Sequence, residues 1–443
     1  MNFYGNNNRG GSHRTAGHGP GDYYLRRRRR RREAMFARGP GGPTLEMVAD
    51  HEFLFECYRR LEAGGGHAPG PDGVTYGDLG PTEVGIVTRE AGAAIRRGAY
   101  RPGPARKVEI PKAAGGTRTL SVANLVDRVV GSALARVLTP TLEATFLPSS
   151  FGFRPGLGTW NMLAELGAAM IHDGRPVLAV DDVRKAFDVV NIPLLMEALT
   201  EHIRDPRLLD LVEIVLRGGE DRDRTLGIPQ GSPVSPPCLN VILHKLHDAP
   251  LAGSVNRPPW FRYADNLAYA CRDVPEGNQV LDQVRGLLAT AGLELKGADG
   301  PPVDLRDGEA QLLGFRLTLG DDRLRRRPGG GAWTKLTRSL EEAHEGPDPP
   351  RTARSVVRGW IESHGPAFES KREVARIVEE IGRIGAMSGF HELDSAEDRQ
   401  ERCSMAYRRW MTFRKGASKR RKDRIYLTRE NVAAPPATVG PGV

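Results

Sequence analysis

The stretch Phe261-Arg262-Tyr263-Ala264-Asp265-Asn266-Leu267-Ala268-Tyr269-Ala270 constrains this chain more than any other. Two apolar, aromatic runs flank a short polar pair. Strand formers on both sides of residues that accept tight-turn angles predict a β-hairpin with Asp265 and Asn266 at its tip. A carboxylate displayed there can bind a cation, although turn chemistry alone reads the pair more readily as a surface turn. Earlier in the chain, Val177-Leu178-Ala179-Val180 is a continuous apolar strand that runs straight into Asp181-Asp182. Acids at the end of a buried strand are expensive unless they cap a helix or bind metal, and capping is the simpler reading of this segment by itself.

A length of 443 residues with 39% hydrophobic content allows about two to three domains or one elaborated domain. The net charge of +9, carried far more by Arg than by Lys, favours a polyanionic partner, nucleic acid before anionic membrane. No apolar run approaches the roughly 18 residues that span a bilayer, and the N-terminus has no apolar segment like a signal peptide. A soluble, cytoplasmic protein with no membrane partner is expected. Cys57, Cys238, Cys271 and Cys403 are far apart and unpaired by CxxC spacing, which predicts buried thiols rather than a zinc ribbon or a disulfide framework. Residues 1–44 combine Gly, Asn, Ser and Pro with Arg26, Arg27, Arg28, Arg29, Arg30, Arg31 and Arg32. Such a segment cannot bury enough apolar surface to offset its ordering entropy, so it reads as a disordered basic arm that binds nucleic acid through phosphates, or as a solvated tail. Residues 431–443 read as a disordered Pro-Gly tail.

Between these ends the pattern alternates. Residues 45–105 carry two helical apolar patterns, an N-terminal helical extension. Residues 108–112 and 117–120 read as a short hairpin with Lys112 and Arg118 beside its tip, two cations suited to a triphosphate or simply edge charges in solvent. Residues 124–146 form an apolar-striped helix broken late by Pro140. Arg154 sits between aromatic and proline constraints, so it is held rigidly, for function or as a buried structural arginine. Gly227-Ile-Pro-Gln230-Gly231-Ser-Pro-Val-Ser235 is a rigid loop feeding a helix. Residues 311–317 read as one strand; 333–343, 352–361, 371–384 and 396–414 as helices; and 415–424 as a basic run.

The series as a whole resembles the reverse transcriptases of group II introns and their group II-like relatives, over roughly residues 68–320. The matching stretches are Pro69-Gly-Pro-Asp-Gly-Val74, Ile110-Pro-Lys-Ala-Ala-Gly-Gly-Thr-Arg118, Ser150-Phe-Gly-Phe-Arg-Pro155, Asp182-Val-Arg-Lys-Ala-Phe-Asp188, Pro229-Gln-Gly-Ser-Pro-Val-Ser-Pro236, Tyr263-Ala-Asp-Asn266 and Leu313-Gly-Phe315, in family order. The resemblance implies an α+β right-hand polymerase, with fingers and a palm built on an antiparallel sheet over 106–320 and a helical thumb or maturase-like region over 321–430. It implies an RNA-directed DNA polymerase that takes an RNA template, a DNA or RNA primer and deoxynucleoside triphosphates, with a cognate structured RNA as a further partner. Two divalent ions, Mg²⁺ or Mn²⁺, would be held at Asp182, Val183 and Asp265, with Asn266 beside them. Asp182 is preferred to Asp181 because the family places an apolar residue directly after the ligand and an aromatic five positions on. Val183 and Phe187 supply these. Lys112, Arg118 and Arg154 would bind nucleotide, Phe187 would exclude a 2′-hydroxyl, and Gln230 and Gly231 would line the nascent base pair.

Two departures stand out. The family has a second Asp where this chain has Asn266, and a lysine a few residues after Gly292-Leu-Glu-Leu295, where only Lys296 stands. A carboxamide keeps an oxygen ligand but removes a charge worth on the order of 4 kcal/mol at about 4 Å and an effective dielectric near 20. The alternative to an active polymerase is therefore a catalytically impaired protein of the same fold acting as an RNA-binding maturase or chaperone.

Overall fold

A computed structural model describes residues 42–433, except 65, 112–115, 220, 222, 255–256, 298–299 and 321, with backbone alone for 111 and 424–433. Arg26 to Arg32 and Lys112 lie outside the described residues. The chain forms two compact units that interleave along the sequence. The first takes the chain up to Gly156, Val183–Val255 and Val284–Leu295; the second takes Leu157–Asp182, Asn256–Gln283 and the chain from Lys296.

In the first unit, helices Leu45–Ala49, His51–Gly64, Pro81–Arg96 and Leu125–Glu143 pack together. The last buries Leu125, Val129, Val130, Ala133, Leu134, Val137, Leu138 and Leu142, an i, i+4 stripe that continues past Pro140. Gly92 is required where Pro81–Arg96 crosses Leu45–Ala49, since a Cβ there would lie 2.4 Å from the Ala49 carbonyl oxygen. Strands β1 (Arg106–Pro111) and β2 (Thr117–Val122) make an antiparallel hairpin, with Arg118 opposite Ile110. Helices Ile192–Thr200, Pro206–Arg217 and Ser235–Leu243 complete the unit, the last continuing through a π turn, His244–Asp248, into Ala249–Gly253.

In the second unit, β3 (Val177–Asp182), β4 (Trp260–Tyr263), β5 (Asn266–Cys271) and β6 (Val303–Asp304) form an antiparallel sheet in the order β4-β5-β3-β6. Helix Thr159–His172 lies against β4 and β5. A second sheet, β7 (Ala310–Leu312), β8 (Phe315–Leu319) and β9 (Leu324–Pro328), follows. The single strand expected over 311–317 is thus a hairpin: Leu313 and Gly314 both take positive φ, +51° and +84°, which makes the two-residue turn that reverses β7 into β8. Helices Gly330–Ala343, Pro349–Ser363 and Lys371–Met387 come next, and Ala396–Ala433 packs on Thr159–His172. This last helix runs through the basic stretch instead of ending near 414. Its Arg420 reaches Glu165 at 2.7 Å and its Arg421 pairs with Asp173, which ties the extra turns down.

All four cysteines are buried free thiols, and burial pushes Cys238, Cys271 and Cys403 up to about 12. Among the described residues no helix is long and apolar enough to cross a membrane.

Candidate active site

In the second unit, the carboxylates meet where β3 ends beside the β4–β5 hairpin. The register places Val180 opposite Ala268, Asp181 opposite Leu267 and Asp182 opposite Asn266. The hairpin loop is Ala264-Asp265, one residue earlier than the expected tip, because Tyr263 pairs with Asn266 and Asn266 begins β5. Ala264 takes φ +55°, the only loop residue of the two that does, as in a type II′ turn. That conformation costs an L-residue of order 1 kcal/mol or more. The fully buried Arg262 holds it, donating from Nη1 to the Ala264 carbonyl at 3.0 Å. Arg262 is a site residue that sequence reasoning missed; its only mark is a guanidinium inside an aromatic strand.

The adjacent acids have different environments. Alternation along a strand sends Asp181 and Asp182 to opposite faces. Asp181 is buried, and its Oδ1 accepts the amides of Asp182 at 2.9 Å and Gly297 at 3.0 Å. It is a satisfied structural acid. Asp182 keeps Oδ1 sealed from solvent without a hydrogen bond, and the Lys296 ammonium stands 3.5 Å from it as an ion partner. Asp265 has its carboxyl pushed above the usual range, mainly by burial and further by the charge of Asp182, while hydrogen bonds and Arg262 pull it down. Asn266 donates from Nδ2 to Asp265 Oδ1 at 3.3 Å, a bond no carboxylate could make. Among the described residues no three His, Cys, Asp or Glu side chains cluster as a metal cage.

The first unit gathers a second set. Phe187 is half-buried and meets Phe153 edge-on, with ring centroids 6.2 Å apart at 73°. Gln230 donates from Nε2 to Asp188 at 3.3 Å, and its carbonyl accepts the Ser121 amide of β2 at 2.7 Å. Gly231 takes φ +116°, and a Cβ there would lie 2.6 Å from the Ser121 carbonyl oxygen, so only glycine lets the loop touch the hairpin. Arg118 is exposed on β2. Val183, buried, forms an isolated bridge with Leu295. Arg154 departs from its expected nucleotide contact. Its Nε and Nη2 donate to Glu143, and its Nη1 donates to the carbonyls of Leu147 at 2.7 Å and Ser150 at 2.6 Å. With 8% exposure and its fork occupied, it is a structural arginine.

An antiparallel sheet with acids at the end of one strand and at a neighbouring hairpin is the arrangement of a polymerase-fold palm. Residues 110–298 match the family described as reverse transcriptase (RNA-dependent DNA polymerase). Protein YkfC of Escherichia coli is 31% identical over 234 residues, 49% of this chain and 60% of that protein. The putative COX1/OXI3 intron 2 protein of Saccharomyces cerevisiae is 29% identical over 209 residues, 46% of this chain and 24% of that one. Group II intron-encoded protein LtrA of Lactococcus lactis subsp. cremoris is 26% identical over 163 residues, 34% of this chain and 26% of it. The chain carries a reverse-transcriptase domain of the group II-like kind, in an α+β polymerase fold. It spans less than two thirds of the length of these relatives.

Proposed function

We propose that the protein is an RNA-directed DNA polymerase that extends a primer 3′-hydroxyl with deoxynucleotides on an RNA template. The observation that carries the reading is the pair Asp182 and Asp265: one oxygen is buried without a hydrogen bond, and one carboxyl is raised by burial and by its neighbour. A divalent cation satisfies both, so the donor set fits Mg²⁺ or Mn²⁺, held by Asp182 and Asp265 with the Asn266 carbonyl oxygen as a neutral donor. Two such ions, when bound, make the primer hydroxyl a better nucleophile and neutralise the pyrophosphate leaving group.

The remaining roles belong to the chain itself. Asp181 fixes the end of β3 by accepting two amides, so Asp182 is presented in one orientation. Arg262 locks the turn that aims Asp265. Phe187, braced by Phe153, presents a ring to the sugar, where a 2′-hydroxyl is excluded by contact. Arg118 offers a charge to the triphosphate, and the Gln230-Gly231 backbone, stitched to β2, supports the nascent base pair by shape. In this reading residues 106–320 act as fingers and palm and 321–430 as thumb, in the cytoplasm.

Primer extension on an RNA template with deoxynucleotides, in Mg²⁺ and in Mn²⁺, tests the proposal, with Asp182→Ala as the control expected to abolish the product. A native chain that binds RNA tightly and extends nothing under either metal overturns it in favour of an RNA-binding maturase or chaperone. The observation that favours this second reading is the neutral Asn266 beside Asp265.

A further inference from the structure

Asp265 and Asp182 are each matched by one cation, and the two cations are held differently. Arg262 acts on Asp265 from a fully buried position, with its Nη1 spent on the Ala264 carbonyl, so it cannot leave without opening the turn. Lys296 faces Asp182 with its side chain 47% exposed. Its backbone is fixed. The Lys296 amide donates to the Asp182 carbonyl at 2.8 Å, and the Gly297 amide donates to Asp181 Oδ1 at 3.0 Å, before a φ of +65° at Gly297 turns the chain away. The ammonium therefore rides on a flexible four-carbon stem whose foot is tied to β3 and whose head reaches solvent.

The atom that Lys296 addresses is the one a divalent ion needs. Its Nζ lies 3.5 Å from Asp182 Oδ1, the oxygen that is buried without a hydrogen bond. Oδ1 is thus matched in charge but not in direction. An Mg²⁺ ion sits about 2.0 to 2.1 Å from an oxygen ligand, and an ammonium 3.5 Å from that same oxygen then becomes a like charge at close range. The two do not share Oδ1. The charges of the site agree with this. Asp182, Asp265, Arg262 and Lys296 sum to zero, and Asn266 adds nothing. Acids already matched by cations hold a metal weakly until one of those cations leaves, and of the two Lys296 is the one placed to swing away.

We propose that Lys296 is an exchangeable counter-ion, whose ammonium holds Asp182 until a divalent ion takes Oδ1, and that this exchange sets how much metal the site needs. The inference rests on the reading of Asp182 and Asp265 as a cation site and adds to it a residue that opposes the cation. Because the amides of 296 and 297 are tied to the end of β3, the exchange is a rotation of the side chain, and the register of β3 against β5 is unchanged by it. Lys296 thereby sets the affinity of the site for metal, while the oxygens of Asp182 and Asp265 do the binding.

The test measures Mn²⁺ binding to the full chain by isothermal titration calorimetry, without nucleotide or primer. K296M and K296Q should lower the Kd by about five- to tenfold, a range held down by the screening of a half-exposed pair, whereas K296R keeps a cation in place and should not lower it. R306M is the control. It removes the same charge from the same unit, where Arg306 pairs with Asp304, and should leave the Kd at the native value. A Kd that K296M leaves unchanged or raises overturns the proposal. Equal tightening in R306M also overturns it, since the effect would then belong to overall charge. The urea midpoint in EDTA reports whether K296M is folded, and K296Q decides if it is not. Binding that D182A abolishes and K296M leaves unchanged refutes the exchange and keeps the cation site; no binding by the native, K296M or K296Q chains refutes both.

Discussion

Asn266→Asp probes whether the two acids form one electrostatic unit. In the native chain the Asn266 amide donates to Asp265 across 3.3 Å. A carboxylate in its place exchanges a donor for a like charge at about that separation. Two unit charges 3.3 Å apart repel by about 5 kcal/mol at an effective dielectric near 20, and the lost hydrogen bond adds about 1 to 2 kcal/mol. Asp182 faces position 266 across the ladder, so the new charge meets a second acid as well. Both 265 and 266 are partly exposed, and screening reduces the net cost to about 2 to 4 kcal/mol. In EDTA the urea midpoint of the variant should fall accordingly. In Mg²⁺ the order reverses: the added charge attracts a divalent ion, so the stabilisation on titrating Mg²⁺ is larger than in the native chain. The Mg²⁺ concentration for half-maximal primer extension should drop by about tenfold or more, the equivalent of 1.4 kcal/mol. A variant as stable as the native chain in EDTA, with the same Mg²⁺ titration, would refute the assignment of Asp182 and Asp265 to one cation site.

Other perturbations read separate parts of the molecule. Arg154→Lys cannot satisfy Glu143 and two carbonyls together, so it should lose about 2 to 4 kcal/mol in urea unfolding while the KM for deoxynucleotides stays unchanged; a KM effect with native stability would return Arg154 to the nucleotide. His364, stacked on Trp360 at 4.1 Å, is pushed by burial from 6.5 to about 4. The unfolded chain therefore binds the extra proton first, so stability is full above about pH 6.5 and declines as pH falls toward 4, by about 3 kcal/mol at most. His364→Phe should flatten that decline in denaturation measured at several pH values, and an unaltered slope would show that His364 does not cause it. Phe187→Ala should cost at least about tenfold in selection of deoxynucleotides over ribonucleotides, measured as a ratio of kcat/KM; an unchanged ratio makes Phe187 a packing residue only.

Much of the architecture was legible because periodicity reports burial on one face. Gly330–Ala343, Pro349–Ser363 and Lys371–Met387 each have one apolar stripe, and their expected spans differ from the observed ones by a few residues. Helix Thr159–His172 has no such stripe. Trp160, Met162, Leu163, Ala164, Leu166, Gly167, Ala168, Ala169 and Met170 are all buried, because the sheet covers one side and Ala396–Ala433 the other. The length of that last helix was hidden for the opposite reason: beyond 417 its support is polar and ionic and comes from residues about 250 positions away. The two misplaced turns share a cause as well. Leu313 and Ala264 take positive φ although neither residue type favours it, and at Ala264 the brace comes from the side chain of Arg262 two residues before.

The candidate site turns on how negative charge is distributed, which local sequence cannot give. Asp181 and Asp182 are neighbours of identical type, yet strand alternation gives the first two amide donors and leaves an oxygen of the second without a hydrogen bond. The folded backbone of Gly297 is what separates their environments. The same accounting gives Asn266 a physical sense. Asp265 is raised by burial and by Asp182 before any third acid is added, and Arg262 and Lys296 are the cations that address Asp265 and Asp182 respectively. A carboxylate at 266 would add repulsion to an already strained pair. An amide there instead donates to Asp265 and stabilises its charged form without a metal. The substitution thus trades strength of cation binding for stability of the cation-free palm, and both sides of that exchange are measured by the one variant Asn266→Asp.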